Sequence, residues 1–598
     1  MKHKKLRLVW QFLKGSKRYF ILTVLLTALT ALADMLNPQI IRAAIDNAIG
    51  GAEADFPPFV MKLIEAVGGF AYLGRHLWIM ALAVLLCALV KVISQYFSQV
   101  SNTKAAETLV KTMRDQLFSH IARLPFGWHM KNRTGDIIQR CTSDIDTVKN
   151  FLSMQLTAIF RIVLMLCLSI FFMLSMDWRL TLVALAPLPL ILGYSLLFHR
   201  KIGAGFRDCD ENEGLLSAMA QENLTGVRVV RAFGRERYER ERFEAQNAYF
   251  TVLWEKLAKV MSRFWNVSDI LSGSQILLLI VFGAVFCVGG SLSAGEYIAF
   301  ISYNSMLVWP IRQLGRMISE LSKAGVAIDR IMYITEAQEE QDAPDAAEAP
   351  MDGDIVFENV TFGYDEGVDI LKNVSFTAKA GTTVGILGGT GSGKSTLVQL
   401  LDKLYAPVAG SISIGGVDLQ KIKTAHLRKN IAMVLQEPYL FSRTIAENIA
   451  IAREDATAEE IIAAAQSACL HEAVEGFANG YETFVGERGV TLSGGQKQRA
   501  AIARALMQSA PIMVFDDSLS AVDTETDARI RAELEKRFGS ATIFLISHRI
   551  TTLAKTDQIL VLDHGRIVQQ GTHQQLCAED GIYRKIYETQ TAIEEVEA

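Results

Sequence analysis

The stretch that decides the fold of the C-terminal half is Gly388-Gly389-Thr390-Gly391-Ser392-Gly393-Lys394-Ser395-Thr396. It matches the pattern GxxxxGK[ST], follows the apolar β-like run TVGIL at 383–387 and precedes the helical run TLVQLL. Glycines allow backbone N–H groups to converge on phosphate oxygens, and the start of the helix adds a favourable partial charge. Lys394 is expected to reach the β- and γ-phosphates, and the Ser395 hydroxyl to ligate Mg²⁺. This context predicts a nucleotide site.

Two later motifs extend the site. The apolar strand IMVF at 512–515 ends in Asp516 and Asp517, where carboxylates are placed for a metal ion and for water. An acidic pair after a strand can mark a simple turn. Its occurrence together with a phosphate loop argues against that interpretation. The run Leu492-Ser493-Gly494-Gly495-Gln496 opens a predicted helix and forms a second anion-binding helix start. Since one nucleotide already has its own loop, we expect this second start to serve a nucleotide held by another subunit.

The first half of the chain is apolar enough for a membrane. Of the 598 residues, 50% are hydrophobic, and the long apolar runs lie before about residue 315. A span needs about 20 apolar residues, which predicts six spans, at about 19–45, from 77 onward, 155–176, 178–199, 268–290 and 293–315. The long connections after the second and fourth spans are rich in Lys and Arg, which predicts that they and both chain ends are cytoplasmic.

These patterns predict a membrane all-α six-helix domain fused to an α/β P-loop domain. The predicted boundaries are a cytoplasmic lead-in at 1–18, the transmembrane domain at 19–337, an acidic linker at 338–353 and the nucleotide-binding domain at 354–598. A net charge of −4 gives no reason to expect nucleic acid. The arginine-rich run at 228–242 is interleaved with Glu, which favours a salt-bridged helix face. The seven scattered cysteines indicate neither disulfides nor zinc.

Among the ionisable residues that fall inside predicted spans are Asp34, Lys91 and Arg161. Such groups are costly in hydrocarbon and usually face a cavity or a partner. They line the transport path, snorkel to the surface, or lie beyond the true span ends; the sequence leaves these alternatives open.

In combination, the phosphate loop, Gln436, the LSGGQ run, the acidic strand, the run SLSAVD and Ser547-His548 resemble the nucleotide-binding domain of ABC transporters. The six-span half resembles the type IV exporters, a group of multidrug exporters and lipid flippases. The resemblance implies ATP and Mg²⁺ as cofactors, with Ser395, Gln436 and Asp516 at the metal. For the nucleotide, it implies that Tyr364 stacks on adenine and that His548 bonds the γ-phosphate. For the dimer, it implies that Ser493 to Gln496 clamp the partner's nucleotide and that Asp523 ends the dimer-contacting loop. It further implies that residues 485–489 contact the coupling helices, which lie near 126–135 and 207–214.

One residue departs from the family pattern. The family has a catalytic Glu directly after the metal-associated Asp, and this chain has Asp517 there. Asp is one methylene shorter, which withdraws the carboxylate by about 1.5 Å, and a general base must lie within hydrogen-bond reach of its water. We therefore expect this site, with Asp517, Gln436 and His548 as its catalytic residues, to bind ATP well and hydrolyse it slowly.

The resemblance favours the degenerate half of a heterodimeric exporter, although a slow homodimer stays open. The expected function is ATP-driven export of an amphipathic or hydrophobic substrate, such as a drug, lipid or peptide, across the plasma membrane. The expected partners are the lipid bilayer, that substrate and a second half-transporter. The alternative is a regulatory subunit that clamps ATP while its partner performs the turnover.

Overall fold

The computed structural model describes residues 10–53, 56–365, 367–489, 491–518 and 523–597. The first half of the predicted lead-in and residues 519–522 of the SLSAVD run lie outside the described residues. The chain divides into two compact units. The first comprises residues up to Arg123 together with Asn132–Ala337, and the second comprises Leu124–Lys131 and Gln338–Ala598.

The first unit is entirely helical where it is described, and the short helix α5 (Phe126–Lys131) belongs to the second unit. Three π-helical turns, Ala44–Ile49, Arg140–Asp144 and Phe151–Gln155, continue or interrupt its helices. The helices of the first unit are α1 (Lys17–Ala43), α2 (Pro58–Ala66), α3 (Gly69–Arg75), α4 (Trp78–Ile121), α6 (Thr134–Gln139), α7 (Ile145–Asn150), α8 (Leu156–Met176), α9 (Trp178–Leu185), α10 (Leu188–Thr225), α11 (Val227–Ala232), α12 (Glu236–Val288) and α13 (Ala294–Thr335).

Local capping decides where two of these helices begin. Asp177 accepts the backbone N–H groups of Arg179 and Leu180 at 2.7 and 2.8 Å, so the turn between α8 and α9 is a single residue. At the start of α13, Ser293 and Glu296 cap each other's backbone N–H groups at 3.0 and 3.1 Å. Such reciprocal capping satisfies donors that have no partner inside the helix. The predicted short connections before the fourth and sixth spans therefore coincide with helix starts.

Among the described residues, five helical stretches are long and apolar enough to cross a membrane: Lys17–Ile49, Trp78–Ile121, Thr134–Met176, Trp178–Thr225 and Glu236–Val288. Helix α13 covers the predicted sixth span but does not meet this criterion. Its apolar stretch carries Tyr303 and Asn304, which are buried among the other helices. Polar residues packed inside a bundle lower hydropathy without facing lipid, so the count of six spans stays a prediction.

The structure corrects one predicted coupling helix. Residues 207–214 lie in the middle of the continuous helix α10 rather than at a cytoplasmic tip. Helices α10 and α12 form a hairpin, and its turn comes later in the chain, at Gly226 and Gly234. These two glycines flank the short helix α11. The family resemblance implied the position at 207–214, but this polar run continues a solvated helix.

Where the structure describes it, the second unit contains two sheets and ten helices in addition to α5. A six-stranded sheet has the order β10-β9-β3-β8-β7-β6, and an antiparallel four-stranded sheet has the order β2-β1-β4-β5. The strands are β1 (Ile355–Phe362), β2 (Leu371–Ala378), β3 (Thr383–Gly388), β4 (Ala409–Ile414), β5 (Val417–Asp418), β6 (Ile431–Val434), β7 (Ile512–Asp516), β8 (Thr542–Ile546), β9 (Gln558–Asp563) and β10 (Arg566–Gly571). The helices are α14 (Lys394–Leu401), α15 (Thr424–Lys429), α16 (Ile445–Ala450), α17 (Ala458–Ser467), α18 (His471–Glu475), α19 (Gly494–Gln508), α20 (Thr524–Phe538), α21 (Ile550–Leu553), α22 (His573–Ala578) and α23 (Ile582–Glu597), with 3₁₀ turns at Leu419–Lys421, Gly480–Glu482 and Glu487–Gly489.

The larger sheet positions the functional motifs. Strands β9, β3, β8, β7 and β6 run parallel, and β7 and β8 are buried along their whole length. Continuous apolar strands of this kind are typical of parallel sheets covered on both faces. Ligands of open α/β sheets bind beyond the carboxyl ends of the strands. The phosphate loop, Asp516 and Ser547 all follow such ends.

The predicted acidic linker belongs to the second unit. Arg428 donates two hydrogen bonds of 2.8 Å to the carboxylate of Glu340. Asp342 accepts from the backbone N–H and hydroxyl of Thr424 at 2.9 and 2.6 Å, and Ala347 pairs with Ile422 as a single β-bridge. The linker is thus fixed along the surface of this unit near α15.

Candidate nucleotide-binding site

The phosphate loop has the backbone conformation that its glycines permit. Gly391 and Gly393 have φ angles of 79° and 101°, which side-chain-bearing residues rarely adopt. At Gly393, a Cβ would also approach Cδ2 of Leu371 to 2.6 Å, so the side chain of Leu371 would have to move. At Gly389 and Gly391, a Cβ would meet nothing within 4 Å, and the loop is therefore open on the side where phosphates are expected.

Lys394 lies beneath this loop at the start of α14. Its side chain is buried, and Nζ donates hydrogen bonds of 2.9 and 2.8 Å to the carbonyl oxygens of Gly388 and Gly389. Burial lowers the pKa of Lys394, while Asp516 and Asp517 oppose that change. Ser392 Oγ is buried without a hydrogen-bond partner among the described residues. A loop with a cation, open glycines and an orphaned hydroxyl fits a phosphate group.

Asp516 ends β7 and faces the phosphate-loop helix. Burial raises the pKa of its carboxyl group and Asp517 adds to this, while a hydrogen bond from Ser395 and the charges of Lys394 and His548 lower it. The hydroxyl of Ser395 and the carboxylate of Asp516 are therefore neighbours. Oxygen ligands of these two kinds are what Mg²⁺ takes beside a nucleotide, so the donor set fits this ion.

Asp517 adopts a left-handed conformation with φ of 44°. Its backbone N–H donates to the carbonyl oxygen of Ile546 at 3.1 Å, so the residue sits where the ends of β7 and β8 meet. The side chain is half-buried. The carboxylate thus stands at the same sheet edge as Asp516 and Lys394.

Tyr364 contacts the phosphate-loop helix through its hydroxyl group. That group lies 2.9 Å from Oγ1 of Thr396 and donates to Oε1 of Gln399 at 3.1 Å. The ring meets the ring of Tyr405 edge to face, with centroids 5.2 Å apart, and 40% of the residue is exposed. An exposed aromatic ring beside the phosphate loop is available for stacking.

Gln436 and His548 follow β6 and β8 and are both exposed. The charge of His548 acts on Asp516, which places His548 near this predicted metal ligand. The backbone carbonyl of His548 accepts a hydrogen bond from Gln590 of α23 at 2.8 Å. The structure thus brings His548 to the phosphate-loop edge. Gln436 follows β6, the edge strand beside β7, and is exposed to solvent.

The signature segment, residues 493–496, starts α19. Ser493 Oγ accepts the N–H of Gln496 at 3.3 Å, and Oε1 of Gln496 accepts the N–H of Ser493 at 2.9 Å. Ser493 and Gly494 are exposed, and a Cβ at Gly494 would meet nothing within 4 Å. Among the described residues no hydrogen bond or ion pair joins this segment to the phosphate loop. Within one chain the two anion-binding ends are separate.

Three further predicted features have defined local structure. Asp523 precedes α20 and accepts the N–H of Thr526 at 2.9 Å; that bond holds the pKa of the exposed Asp523 carboxyl below its usual value. In the run 485–489, the backbone N–H of Val485 donates to Arg443 at 2.8 Å. Predicted coupling residues 126–131 lie in the second unit as α5, whereas 132–135 lie in the first.

Sequence reasoning missed Tyr405. Its ring lies edge-on to Tyr364 on one side and to Phe126 of α5 on the other, with centroids 5.2 and 5.5 Å apart. Gly127 approaches the same ring so closely that a Cβ there would lie 3.3 Å from Cε1 of Tyr405. The only signal was an aromatic residue two positions before Pro407, which is too common a pattern to indicate a role.

Comparisons with known proteins agree along the whole chain. The model described as the ABC transporter transmembrane region matches residues 20–311, and the ABC transporter model matches 371–520. The probable multidrug resistance ABC transporter ATP-binding/permease protein YheI of Bacillus subtilis is 35% identical over 98% of this chain and 97% of its own length. An ATP-dependent lipid A-core flippase of Chromohalobacter salexigens is 34% identical over 94% of this chain and 93% of its own.

Solved structures give the same result. A bacterial Atm1-family ABC exporter with ATP bound matches with a TM-score of 0.80 and 26% identity, covering 97% of this chain and 98% of that one. The predicted fold class, an all-α membrane domain fused to an α/β P-loop domain, is confirmed, apart from the number of spans.

Proposed function

Since the chain belongs to the ABC transporter family as a half-transporter of the exporter type, we propose that it exports an amphipathic or hydrophobic substrate across the plasma membrane as half of a dimer. Relatives named as a multidrug resistance transporter and a lipid A-core flippase support this substrate class. The basic long connections support cytoplasmic chain ends. Both units are therefore used: one crosses the membrane, and the other binds ATP.

The observation that carries the proposal is the meeting of Lys394, Ser395 and Asp516 at the carboxyl edge of the parallel sheet. In this proposal Lys394 and the loop N–H groups hold the phosphates, and Ser395, Asp516 and Gln436 hold Mg²⁺. The ion neutralises charge on the phosphates when bound. The ring of Tyr364 holds the adenine.

A dimer follows from two exposed surfaces. The signature segment is a preformed helix start open to solvent, and such an end binds anions. The tip of the α10–α12 hairpin exposes Leu224, Val229 and Phe233, at 77%, 61% and 78% of their surfaces. An exposed apolar group of this kind marks an interaction site. We propose that a second half-transporter covers both.

Asp517 decides between two forms of that dimer. The shorter carboxylate favours slow hydrolysis at this chain's phosphate loop, while the complete signature segment is suited to a partner's nucleotide. We propose a heterodimer in which the partner supplies the faster site. The alternative is a homodimer that hydrolyses ATP slowly. At the extreme of the heterodimer proposal, this chain is a purely regulatory subunit that clamps ATP while its partner performs all of the turnover.

Two variants of the full-length chain in nanodiscs test the proposal. Lys394→Met should abolish binding of a fluorescent ATP analogue. Ser493→Ala should keep that binding, because each loop belongs to its own chain, but should lower ATPase activity of the partner's site. The matched control is Lys497→Met, which removes a charged side chain of α19 just outside the signature segment. Retained ATP binding in the Lys394 variant would contradict the site, and unaffected turnover in the Ser493 variant would contradict the shared arrangement.

The same preparations separate the dimer forms. If the purified chain hydrolyses ATP without a partner, and substrate stimulates this activity, the hypothesis of a purely regulatory subunit is contradicted. Co-purification with a half-transporter that bears Glu after its strand Asp, together with loss of turnover only when that Glu is changed, supports the heterodimer.

A further inference from the structure

Asp34, Lys91 and Arg161, three ionisable residues of predicted spans, come together as one cluster. Nζ of Lys91 in α4 lies 2.6 Å from Oδ1 of Asp34 in α1. Nη2 of Arg161 in α8 lies 3.3 Å from Oδ2 of the same carboxylate. Each oxygen of Asp34 thus pairs with a different cation from a different helix.

The cluster carries one uncompensated positive charge. Two cations share a single carboxylate, and neither Lys91 nor Arg161 pairs with a second acidic group in the part of the chain that the structure describes. Ionisable residues in spans are retained where they face a cavity and a partner. A surplus cation held among apolar helices therefore calls for an anion from outside the chain.

The arrangement leaves the cations accessible while their counter-ion is enclosed. The side chain of Asp34 is only 9% exposed, whereas those of Lys91 and Arg161 are 36% and 41% exposed. An ammonium group has three donors and a guanidinium five, so both keep donors for a further acceptor. The enclosed carboxylate of Asp34 holds the side chains of Lys91 and Arg161 in position.

The depth of the cluster suits an amphiphile. Lys91 lies 13 residues after the start of α4 at Trp78, or about 20 Å along the helix axis. The hydrocarbon core is about 30 Å thick. In the proposed topology Trp78 is at the external end, so Lys91 lies in the cytoplasmic half of the membrane. There it can meet the polar group of a molecule whose tail remains in the apolar region.

From this geometry we infer that Lys91 and Arg161 bind a single anionic group, a phosphate or a carboxylate, of the amphipathic transport substrate. The inference rests on the proposed export function and names the chemistry of its substrate. Charge-assisted hydrogen bonds to such groups are stronger than neutral ones, and the low surrounding dielectric strengthens them further.

Binding can be measured without turnover. Full-length protein in phosphatidylcholine nanodiscs is titrated with radiolabelled dodecyl phosphate, with dodecanoate and with uncharged dodecanol in a scintillation proximity assay. We expect both anions to bind at least about tenfold more tightly than the alcohol, as one added charge-assisted contact requires. Equal affinity for the anions and the alcohol would overturn the inference even if the ATPase experiments succeed.

Variants locate the effect. Lys91→Gln and Arg161→Gln should each weaken dodecyl phosphate binding about tenfold or more and leave dodecanol binding as it was, whereas Lys91→Arg should retain the preference. Lys104→Gln removes the same charge from an exposed position of the same helix and should leave both affinities unchanged. If the Gln variants bind dodecyl phosphate as the natural protein does, the assignment to this cluster is wrong.

The origin of the anion is tested by adding phosphatidylglycerol to the nanodiscs. Competition with dodecyl phosphate that is lost in Lys91→Gln supports a bilayer lipid headgroup as the bound group. Absence of competition, with the preference for dodecyl phosphate intact, supports an amphiphile other than the bulk lipid. Competition that persists unchanged in both Gln variants would contradict a role for the cluster. Loss of ATP binding would instead count against the proposed function.

Discussion

The backbone N–H of Asp517 donates to the carbonyl oxygen of Ile546 across the ends of β7 and β8, at 3.1 Å. The residue has a φ of 44°, a left-handed conformation in which Asp and Asn are tolerated better than most residues. The position therefore combines a constrained backbone with a short carboxylate.

Replacement of Asp517 by Glu should raise ATPase activity. The added methylene returns the carboxylate about 1.5 Å toward the attacking water, and a displacement of about 1 Å can cost on the order of a hundredfold in rate. We expect kcat to rise about ten- to a hundredfold, measured by phosphate release from the reconstituted chain. The left-handed backbone should make the variant less stable by about 1 kcal/mol.

Asp517→Asn is the control for that substitution, because it keeps the size of the side chain and removes its charge. It should lower the residual turnover and leave ATP binding intact. If the Glu variant is no faster than the natural chain, the distance of the carboxylate does not limit hydrolysis at this site.

Tyr364 gives a second prediction, which separates its ring from its hydroxyl group. The hydroxyl contacts Thr396 and Gln399, so Tyr364→Phe removes these bonds and keeps the aromatic face. Stacking of a base on an aromatic side chain is worth about 1–3 kcal/mol. Calorimetric titration with MgATP should therefore show affinity within about threefold of natural for Phe and a loss of about tenfold for Tyr364→Ala. Equal losses in the two variants would assign the effect to the hydroxyl group.

The local parts of the site could be predicted from the sequence, and the parts created by tertiary packing could not. The phosphate loop is recognised from a strand, a loop and a helix that are adjacent in the chain. Asp516 is recognised at the end of a second apolar strand, and it could be assigned to the same site because parallel strands end at one sheet edge. The meeting of Tyr364, Tyr405 and Phe126 depends on side chains separated by up to 279 positions (405 minus 126). No local pattern encodes it.

The membrane half shows the same division. Three charged residues could be recognised inside apolar runs, but only the packing of α1, α4 and α8 joins them. The predicted coupling segment at 207–214, which the family resemblance implied, was wrong: those residues continue α10, and the turn lies between Gly226 and Gly234.

The contact of Gly127 with Tyr405 gives a third prediction. A Cβ at Gly127 would lie 3.3 Å from the Tyr405 ring, tighter than ordinary van der Waals contact, and the branched side chain of Val adds further atoms. Gly127→Val should displace α5 from Tyr405. We expect ATP binding to persist and stimulation of ATPase by transported substrate to fall at least about threefold in proteoliposomes.

Gly135→Val is the matched control, because a Cβ there meets nothing within 4 Å. It should retain stimulation. Equal loss of stimulation in the two variants would show that glycine is needed for helix geometry in this segment, and not for the contact with Tyr405.

Asp402 gives a prediction about pH. Its Oδ1 is buried without a hydrogen-bond partner among the described residues. Burial raises the pKa of the carboxyl group to about 7, with Arg428 opposing and Glu340 adding to the rise. A carboxyl whose pKa is raised in the folded state holds its proton where the unfolded chain has released it, so the unfolded state binds fewer protons and stability falls as pH rises.

The loss should begin near pH 4 and be complete a little above pH 7, and it should reach up to about 4 kcal/mol. Asp402→Asn has no proton to lose, so its melting temperature should vary less than that of the natural chain between pH 5 and 8 and should be higher at pH 8. Thermal unfolding of the full-length protein in detergent measures both, with Asp345→Asn, an exposed carboxyl of the same unit, as control. Parallel pH profiles for Asp402→Asn and the natural chain would mean that Asp402 is ionised in both states, with Arg428 compensating its charge.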